Sequence, residues 1–346
     1  MQNTTITTQM DEASVNAINR HEREDATVFT FGGVERVDVV NPAHYDGVEY
    51  DAFEQYYSPP IEPNALSDMM IANSYHGSIV EARARILAKD YHVIDLMPFT
   101  DMMNMAKDLV GFGQCYYQVF YNFLNQPVRL AHVPAQPIRK SKNNRFVRLN
   151  SDETKTWFKA GELFHVKLYD PKQNVYGLPD YLSGLQSAML AEDATLFRRR
   201  YYKNGAHMGF ILYTTDPNMT PAVEEELQDA LKNSRGVGNF KSLLINIPNG
   251  QEKGVQLIPV GDVSTKDEFP TIKTVSSQDV MVAHRFPPGL SGIIPAQGSA
   301  MGDPEKYNRT YYENEVKPMQ KLLASVNQIL PKTKQIRFDV PAFLVS

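Results

Sequence analysis

The spacing of apolar residues in the first half of the chain predicts two helices followed by a run of strands. From Asn64 to about Lys89 one helical stripe carries Leu66, Met69, Met70, Asn73, Ile79, Arg83, Ile86 and Leu87, which predicts a single amphipathic helix. A second, shorter helix is predicted to start at Thr100, as the N-cap, and to end near Gly111 and Gly113. Strands are predicted in CYYQVFYNF, VRLAHVP, RFVRL and LFHVKLY. The first 170 residues are therefore expected to form an α+β unit, after a mostly irregular region, residues 1–60, with FTFGGVERV as a lone strand.

The second half opens with a long helical pattern, predicted over residues 179–204. Leu182, Leu185, Met189, Leu196 and Tyr201 keep helical spacing, Pro179 and Asp180 suit the first turn, and Asn204-Gly205 suits the end. Such a helix would be roughly 37 Å long.

Shorter elements are predicted to follow this helix. The segment HMGFILYTT is a predicted strand, and KSLLINI and GVQLIPV are predicted to form a hairpin about the turn Pro248-Asn249-Gly250. A helix starting at Ser277 is expected to stop at Pro287-Pro288, before the loop LSGIIPAQGSAMGD. The last helix, from Asp303-Pro304 to Ile329, is expected to kink at Pro318.

Composition indicates a folded chain of about two domains that is weakly suited to gripping DNA. Of its 346 residues, 42% are apolar and 22% are charged, and domains average roughly 150 residues. No stretch is apolar enough for a membrane span, and the polar N-terminus does not predict a secretory signal. The net charge of −5 opposes tight phosphate binding. The protein either avoids nucleic acid or touches it without holding it.

Tyrosines occur in four adjacent pairs: Tyr56-Tyr57, Tyr116-Tyr117, Tyr201-Tyr202 and Tyr311-Tyr312. Neighbouring residues face different ways, so the two members of a pair rarely enter the same core. Tyr and Met are enriched at subunit interfaces, and the chain has 14 methionines. This pattern fits an oligomer, and tyrosines at the edge of a monomer core fit it equally well.

Motifs for catalysis, nucleotide binding and metal binding are missing from the sequence. In the segment Gly236–Ser242, Phe240 stands where a phosphate-binding loop needs its second glycine. The eight histidines are scattered, with His165 expected to be a structural strand residue and His207 to follow the long helix. The lone cysteine, Cys115, is expected to be a buried strand residue rather than a nucleophile. We therefore expect no catalytic residue, no cofactor and no metal.

Two basic stretches have alternative interpretations. The residues Arg139, Lys142 and Arg145 could contact a phosphate backbone, but a solvated hairpin tip is the better interpretation because interleaved aromatic residues are missing. The run Arg198-Arg199-Arg200 stabilises the C-terminal end of a helix, or forms ion pairs between subunits with residues such as Glu192 or Asp193.

Several longer segments resemble the PBSX-type branch of the phage portal proteins, in the order that this family shows. They are YGLPDYLSGLQSAMLAEDATLFRRRYYKNGAHMGFILYTTD, LKNSRGVGNFKSLLINIPNG, GVQLIPVGDVSTKDEF, VMVAHRFPPGLSGIIP and NEVKPMQKLLASVNQIL. Weaker likeness in FTFGG, HGSIVEARARIL and DLVGFGQCYYQVF extends the resemblance to about residues 28–338.

The resemblance implies an α+β portal fold in which subunits form a ring. The implied parts are an N-terminal arm (1–60), an α+β wing (61–176), a stem helix (177–205), an α/β clip (206–265), a second stem helix (266–288), a channel loop (289–303) and a C-terminal helix with a small crown (304–346).

The resemblance also implies where the interaction residues lie. The channel-loop candidates are Ser291, Gly292, Gln297, Gly298, Ser299, Met301 and Gly302. The stem and subunit-interface candidates are Leu185, Met189, Glu192, Asp193, Arg198, Arg199, Arg200, Tyr201, Pro287 and Pro288. The clip candidates, which would face a terminase, are Glu224, Glu225, Arg235, Asn239, Lys241 and Asn249.

The implied function is a DNA channel at one capsid vertex of a virion assembled in the bacterial host cytoplasm. Implied partners are about eleven further copies of the chain, the terminase large subunit, the major capsid and scaffolding proteins, a head-completion or connector protein, and double-stranded DNA that passes without sequence-specific binding. A net-acidic ring would disfavour tight phosphate contacts and let the duplex slide. Alternatives are another head–tail ring or adaptor protein, or a nuclease from a mobile element.

Overall fold

The computed structural model of the chain describes residues 27–30, 48–203, 210–214, 222, 243–246, 255–259, 268–291 and 304–345. The helices are α1 (Pro63–Ala72), α2 (Ser74–Ala88), α3 (Phe99–Phe112), α4 (Leu185–Lys203), α5 (Glu268–Ala283), α6 (Pro288–Ser291), α7 (Pro304–Tyr311), α8 (Lys317–Leu323) and α9 (Ala342–Val345). The strands are β1 (Thr27–Thr30), β2 (Tyr50–Asp51), β3 (Tyr56–Tyr57), β4 (Tyr91–His92), β5 (Gln114–Tyr121), β6 (Pro127–Val133), β7 (Ile138–Lys140), β8 (Phe146–Leu149), β9 (Lys155–Trp157), β10 (Leu163–Lys167), β11 (Phe210–Thr214), β12 (Leu243–Asn246), β13 (Val255–Pro259) and β14 (Arg337–Phe338).

The chain divides into two compact units, and the larger comprises Val39–Asp193 and Thr271–Ser346. Its main sheet has the order β10-β5-β6, with both neighbours antiparallel to β5. One face of this sheet packs on α3 and α8, and α1 and α2 pack on α3 to complete the main core. The other face meets the second sheet, β7-β8-β9, over a small core that includes Phe146 and Leu163. The predicted α+β character and the four predicted strands of the first half are confirmed.

Two of the tyrosine pairs are buried within this unit. Tyr116 and Tyr117 are both 0% exposed, because they point from β5 into the small core and the main core respectively. Tyr311 and Tyr312 are each 5% exposed. The second core, which the sequence does not reveal, explains why Tyr116 and Tyr117 can both be buried, whereas Tyr311 and Tyr312 both enter the main core, contrary to the expectation. These two pairs therefore give no support to a subunit interface.

The smaller unit comprises Met1–Asp38 and Ala194–Pro270, and its described strands form a four-stranded sheet of order β1-β12-β11-β13. The predicted hairpin of KSLLINI and GVQLIPV is wrong, since β12 and β13 lie on opposite sides of β11. Phe29 and Thr30, the first two residues of FTFGGVERV, do not belong to a lone strand, because β1 pairs with β12; the other residues of that segment lie outside the described ones. Apolar runs predict strands without identifying their neighbours, and a turn signal between two runs does not force them to pair.

The helix predicted from Asn64 to Lys89 is two helices that meet at Asn73. This residue is extended, with φ −98° and ψ 117°, and its side-chain oxygen accepts the backbone N–H groups of Tyr75 and His76. Its amide nitrogen donates to the carbonyl oxygen of Ala188 at 2.7 Å. Asn73 is therefore the N-cap of α2, and its place in the apolar stripe reflects buried hydrogen bonds rather than helix continuity.

The boundaries of the next two helices also differ from the prediction. Helix α3 starts at Phe99 after Pro98, so Thr100 is not its N-cap, whereas Gly113 ends it in the left-handed conformation with φ +70° as expected. Helix α4 starts at Leu185 after a 3₁₀ turn, Leu182–Gly184, rather than at Pro179. Its 19 residues span about 28 Å. Asp180 therefore precedes the helix instead of lying in its first turn, and its carboxylate binds Arg83 and Arg285.

Helix α5 starts nine residues earlier than predicted and ends before the two prolines. The N–H of Phe286 bonds to the carbonyl oxygen of Met281, and the N–H of Arg285 bonds to that of Val282. With Arg285 at φ +51°, this is a Schellman motif, which ends the helix without help from Pro287 and Pro288. Pro288 instead begins α6.

The last predicted helix is interrupted close to the expected position. A π-helical turn, Tyr312–Val316, separates α7 from α8, and Pro318 is the second residue of α8. After Leu323 the chain continues as a 3₁₀ helix, Ala324–Ile329. Of the helices within the described residues, not one combines the length and the apolar character of a membrane span.

Candidate functional site

Four charged side chains meet at the end of α5 that adjoins the start of α4, and we call them the clasp: Arg83, Asp180, Arg285 and Glu315. The Arg83 guanidinium donates to both Asp180 oxygens, at 3.0 and 2.8 Å. Arg285 donates to Asp180 as well, and its Nε donates to Glu315 at 2.9 Å. The clasp thus ties α2, the segment before α4, the end of α5 and the π-helical turn together.

Arg83 is the buried member of the clasp, with 2% of its side chain exposed. Burial alone would lower its pKa, but the hydrogen bonds and charge of Asp180 outweigh burial and leave the pKa raised. A buried cation of this kind depends on its anion, because an unpaired charge in the interior costs several kcal/mol. Arg285, by contrast, is half exposed, so water screens its two ion pairs.

Two buried histidines, His76 and His284, extend this network into the core. A guanidinium can only donate, so Arg83 donates to His284 Nδ1 across 3.1 Å, which places the His284 proton on Nε2. That proton is donated to His76 Nδ1 at 2.9 Å. The proton of His76 then lies on Nε2, for which the described residues offer no hydrogen-bond partner. Both imidazoles are therefore neutral.

The protonation of these histidines is strongly disfavoured. Burial, helped by the charge of Arg83, lowers the pKa of His76 to about 4 and that of His284 to about 2. The Tyr181 ring stacks on His284 with the ring centres 4.7 Å apart and meets His76 edge-on at 4.5 Å. The Tyr181 hydroxyl donates to the Gly111 carbonyl oxygen, which fixes the segment before α4 against α3.

The clasp has the properties of a structural fastening rather than a reactive centre. The two carboxylates of the clasp are paired with guanidinium groups, and none of its four side chains is a nucleophile. The imidazoles of His76 and His284 beside it are neutral. Among the described residues no group of His, Cys, Asp and Glu is arranged to hold a metal ion. Cys115 is fully buried, which raises the pKa of its thiol well above the ordinary value and makes the thiolate scarce.

The stem and subunit-interface candidates differ in solvent exposure, and therefore in how much of each side chain a neighbouring subunit could contact. Leu185 is 2% exposed and belongs to the core of its own chain, so little of it remains for a subunit interface. Met189, Glu192 and Arg198 are half-buried, and Asp193 and Arg199 are exposed. Arg200 and Tyr201 lie in the last turn of α4, with side chains outside the described ones. Pro287 is half-buried and Pro288 is exposed.

Most other candidates lie outside the described residues. Ser291 is the last residue of α6. The remaining channel-loop candidates and all clip candidates lie outside: Gly292, Gln297, Gly298, Ser299, Met301, Gly302, Glu224, Glu225, Arg235, Asn239, Lys241 and Asn249. His207 lies outside as well. The basic stretch at Arg139 forms the predicted hairpin, β7 and β8, with Lys142 and Arg145 exposed at its tip.

The sequence analysis did not identify the clasp, although one signal for it was present. Arg83 occupies the apolar stripe of the predicted helix, where charged residues are rarely buried unless they have partners. The partners of Arg83 lie about 100 and 200 positions further along the chain, at Asp180 and His284.

His165 is the structural strand residue that was expected, with Nε2 3.0 Å from Gln114 Oε1.

The chain is similar to phage portal proteins over most of its length. The family profile described as "Phage portal protein" matches residues 95–344. The chain is 41% identical over 298 residues to a probable portal protein of Haemophilus phage HP1 (strain HP1c1), covering 84% of this chain and 86% of that protein. It is 34% identical over 304 residues to a probable portal protein of Escherichia phage P2, covering 86% and 87%.

Solved structures show the same fold at low sequence identity. The neck of a native GTA particle, computed with C12 symmetry, matches with a TM-score of 0.59 and 16% identity, over 87% of this chain and 89% of the other. An HK97 family phage portal protein from Corynebacterium diphtheriae matches with a TM-score of 0.56 and 13% identity, over 80% and 95%. The similarity of fold therefore extends well beyond the similarity of sequence.

Proposed function

The chain belongs to the phage portal protein family, and on that premise we propose that twelve copies of it close into a ring around a channel for duplex DNA. The family match across residues 95–344 carries this proposal, and the 41% identical relative is matched over 86% of its length. The C12 symmetry of the similar neck structure supports the number of subunits. A portal protein is a structural protein of the phage head, and the function proposed for this chain needs no catalytic step.

The described elements support an assignment of parts within the subunit. We assign the wing to residues 61–176, the two stem helices to α4 and α5, and the clip to residues 206–265. The channel loop would span residues 289–303, and the C-terminal helices would lead to a small crown. In this arrangement the clasp lies where both stem helices join the wing, since it binds the segment before α4 and the residues after α5. It would hold the two helices at a fixed spacing while DNA moves through the channel.

The proposed partners follow from these parts. The clip would dock the terminase large subunit and later a head-completion or connector protein, and the wing would contact the major capsid and scaffolding proteins. Duplex DNA would pass without sequence-specific binding, because a ring with a net charge of −5 per subunit disfavours tight phosphate contacts. Assembly would take place in the host cytoplasm, and the mature ring would occupy one capsid vertex. The alternatives of an adaptor ring or a nuclease have no observation in their favour.

Electron microscopy of the purified full-length chain tests the ring. The expected result is an annular particle with a central opening wide enough for duplex DNA and with countable rotational symmetry. Mass photometry of the same sample should show a species near twelve times the subunit mass of 39.1 kDa. Monomers or dimers alone, over a range of salt and protein concentrations, would contradict the proposal.

Substitution of the two prolines that precede the channel loop tests the role of this loop in DNA packaging. The Schellman motif already ends α5, so Pro287 and Pro288 are left to start α6 and to set the direction of the chain towards the loop. Replacing both with alanine is expected to spare ring assembly and to reduce DNA packaging in a complementation assay. Packaging at the normal level would refute this role.

A further inference from the structure

The C-terminal part of the chain contains a stretch in which every charged residue is positive. Residues 316–338 include five cations and no anion: Lys317, Lys321, Lys332, Lys334 and Arg337. Since the whole chain carries a net charge of −5, all of its other residues together carry −10. Positive charge is therefore concentrated in this stretch of an otherwise acidic protein.

Most of these cations are not neutralised by the chain itself. All five side chains are exposed. Lys317 pairs with Glu313 at 2.9 Å, whereas none of the other four has an ion-pair partner among the residues that the structure describes. The anion that follows the stretch, Asp339, has its carboxylate 3.5 Å from His92. Four exposed cations per subunit are therefore available to an anionic partner.

Three of the four lie in a loop, residues 331–337, that we call the basic loop. The Asn327 side chain donates to the Ile336 carbonyl oxygen at 2.9 Å and accepts the Ile336 N–H at 2.7 Å, which closes the loop. Within it, the Lys334 N–H bonds to the Pro331 carbonyl oxygen at 2.9 Å and closes the 3₁₀ turn Lys332–Lys334. Because the backbone is already fixed, little conformational entropy would be lost when a partner binds.

The exposed polar side chains of the basic loop can all donate hydrogen bonds. Lys332, Thr333, Lys334 and Arg337 are exposed. The ammonium and guanidinium groups can only donate, and the threonine hydroxyl between the two lysines can donate as well. A partner that satisfies them must therefore present several negatively charged acceptor oxygens close together.

The apolar residues of this region favour a phosphate backbone over an acidic protein as the partner. Protein interfaces have an apolar or aromatic centre, but Leu330 and Ile336 at the two ends of the loop are buried, with 7 and 2% exposed. A single nucleic-acid strand binds by stacking its bases on aromatic rings, and residues 331–337 include no aromatic residue. Lys, Arg and Thr side chains commonly bind the phosphate oxygens of duplex DNA, and such contacts do not read sequence.

We propose that the basic loop binds the phosphate backbone of duplex DNA. Lys332, Lys334 and Arg337 pair with phosphate groups, and the Thr333 hydroxyl donates to a phosphate oxygen. The proposal rests on the function proposed above, in which duplex DNA is the polyanion that meets the ring. It adds a defined contact surface to a subunit whose other residues are acidic overall and repel DNA.

Binding of a fluorescent duplex of random sequence to the full-length chain tests this contact. Anisotropy titrations at several salt concentrations give the dissociation constant and its dependence on salt. The loop variant Lys332→Gln with Lys334→Gln and Arg337→Gln should raise the dissociation constant by about tenfold or more. The slope of log affinity against log salt should become shallower by about 0.9 for each phosphate contact that is lost.

A matched control removes the same charge from another surface of the same unit. The variant Lys142→Gln with Arg145→Gln and Lys159→Gln replaces three exposed cations outside the basic loop, and it should bind DNA as the unmodified chain does. A second control, Lys332→Arg with Lys334→Arg, keeps the charge of the loop. It should also bind normally, because arginine pairs with phosphate as lysine does.

Equal weakening by the loop variant and the first control would reduce the effect to net charge and overturn the contact. Normal DNA binding by a loop variant that no longer binds polyglutamate would assign the loop to an acidic protein and overturn it as well. If the triple loop variant does not fold, the single variants Lys332→Gln and Lys334→Gln decide, since each should make the salt slope shallower.

Mass photometry of the same samples separates the contact from the ring. Rings whose DNA binding ignores the loop substitutions would overturn the contact and leave the ring standing. DNA binding that depends on the basic loop, in a chain that forms no rings, would overturn the ring and leave the contact standing.

Discussion

Removing the charge of Asp180 from the clasp should destabilise the protein more than removing the buried cation, Arg83. The carboxylate of Asp180 is bound by both Arg83 and Arg285, so it has two cationic partners. Among the described residues Arg83 donates hydrogen bonds to one carboxylate, that of Asp180, and its side chain is 2% exposed. The variant Asp180→Asn keeps the shape of the side chain but leaves Arg83 buried without an anion, which costs about 3–5 kcal/mol.

The variant Arg83→Met removes the cation itself, and Asp180 then keeps Arg285 and the 17% exposure of its side chain. What remains is the loss of the hydrogen bond to His284 Nδ1, which leaves one buried acceptor unpaired at about 1–3 kcal/mol. In the double variant the buried charge and its need for an anion both disappear. Its stability should therefore lie near that of Arg83→Met, well short of the sum of the two single losses.

Urea unfolding followed by tryptophan fluorescence measures these differences. The only tryptophan, Trp157, lies in β9 of the same unit as the clasp, so its signal reports the unfolding of that unit. Each variant should be measured at several protein concentrations, because association stabilises the folded subunit. An Arg83→Met loss as large as that of Asp180→Asn, or a double variant with additive losses, would refute the reasoning.

Two further predictions concern stability. Because His76 and His284 have folded-state pKa values of about 4 and about 2 against about 6.5 when unfolded, the unfolded chain alone gains protons as pH falls below 6.5. The free energy of unfolding should drop by about 2 kcal/mol per histidine between pH 7.5 and 5. Urea titrations at several pH values measure this free energy, and a value that does not change with pH would contradict neutral imidazoles. Gly77→Ala should destabilise by about 1–3 kcal/mol, since its Cβ would lie 2.0 Å from the Met70 carbonyl oxygen. The control Gly289→Ala, whose Cβ would be 4.0 Å from the nearest atom, should be neutral or slightly stabilising in the same assay; equal losses in both would disprove the steric argument.

Sequence periodicity predicted the elements of this fold better than their ends and partners. The strand CYYQVFYNF was predicted correctly because its apolar run is long, yet the second core that receives Tyr116 depends on the distant residues Phe146 and Leu163. The false hairpin of β12 and β13 arose because two apolar runs about a turn signal fit pairing with each other and pairing with a third strand equally well. Chain-local signals do not distinguish these cases.

The clasp shows the same limit at the level of single side chains. Arg83 was visible as a charged residue on an apolar stripe, which indicates a buried partner without identifying it. Asp180 was interpreted as an acidic residue in the first turn of a helix because it follows Pro179. That role and the ion-pair role place the same carboxylate at the same point in the sequence. Only the fold, which brings α2 and the end of α5 to Asp180, decides between them.

Arg285 combines a strained backbone conformation with two ion pairs of the clasp. Its φ of +51° lies in the left-handed region, where a residue with a side chain is less stable than glycine by about 1–2 kcal/mol. Glycine at this position would relieve the strain and end α5 equally well, but it would leave Glu315 without a guanidinium and Asp180 with Arg83 alone. The strained residue therefore sets the direction of the chain after α5 and, through its side chain, attaches that turn to the start of α4 and to the π-helical turn. In the proposed ring, the two helices assigned as stem helices would have to keep their spacing while DNA passes, and one residue that does both would prevent either helix from shifting alone.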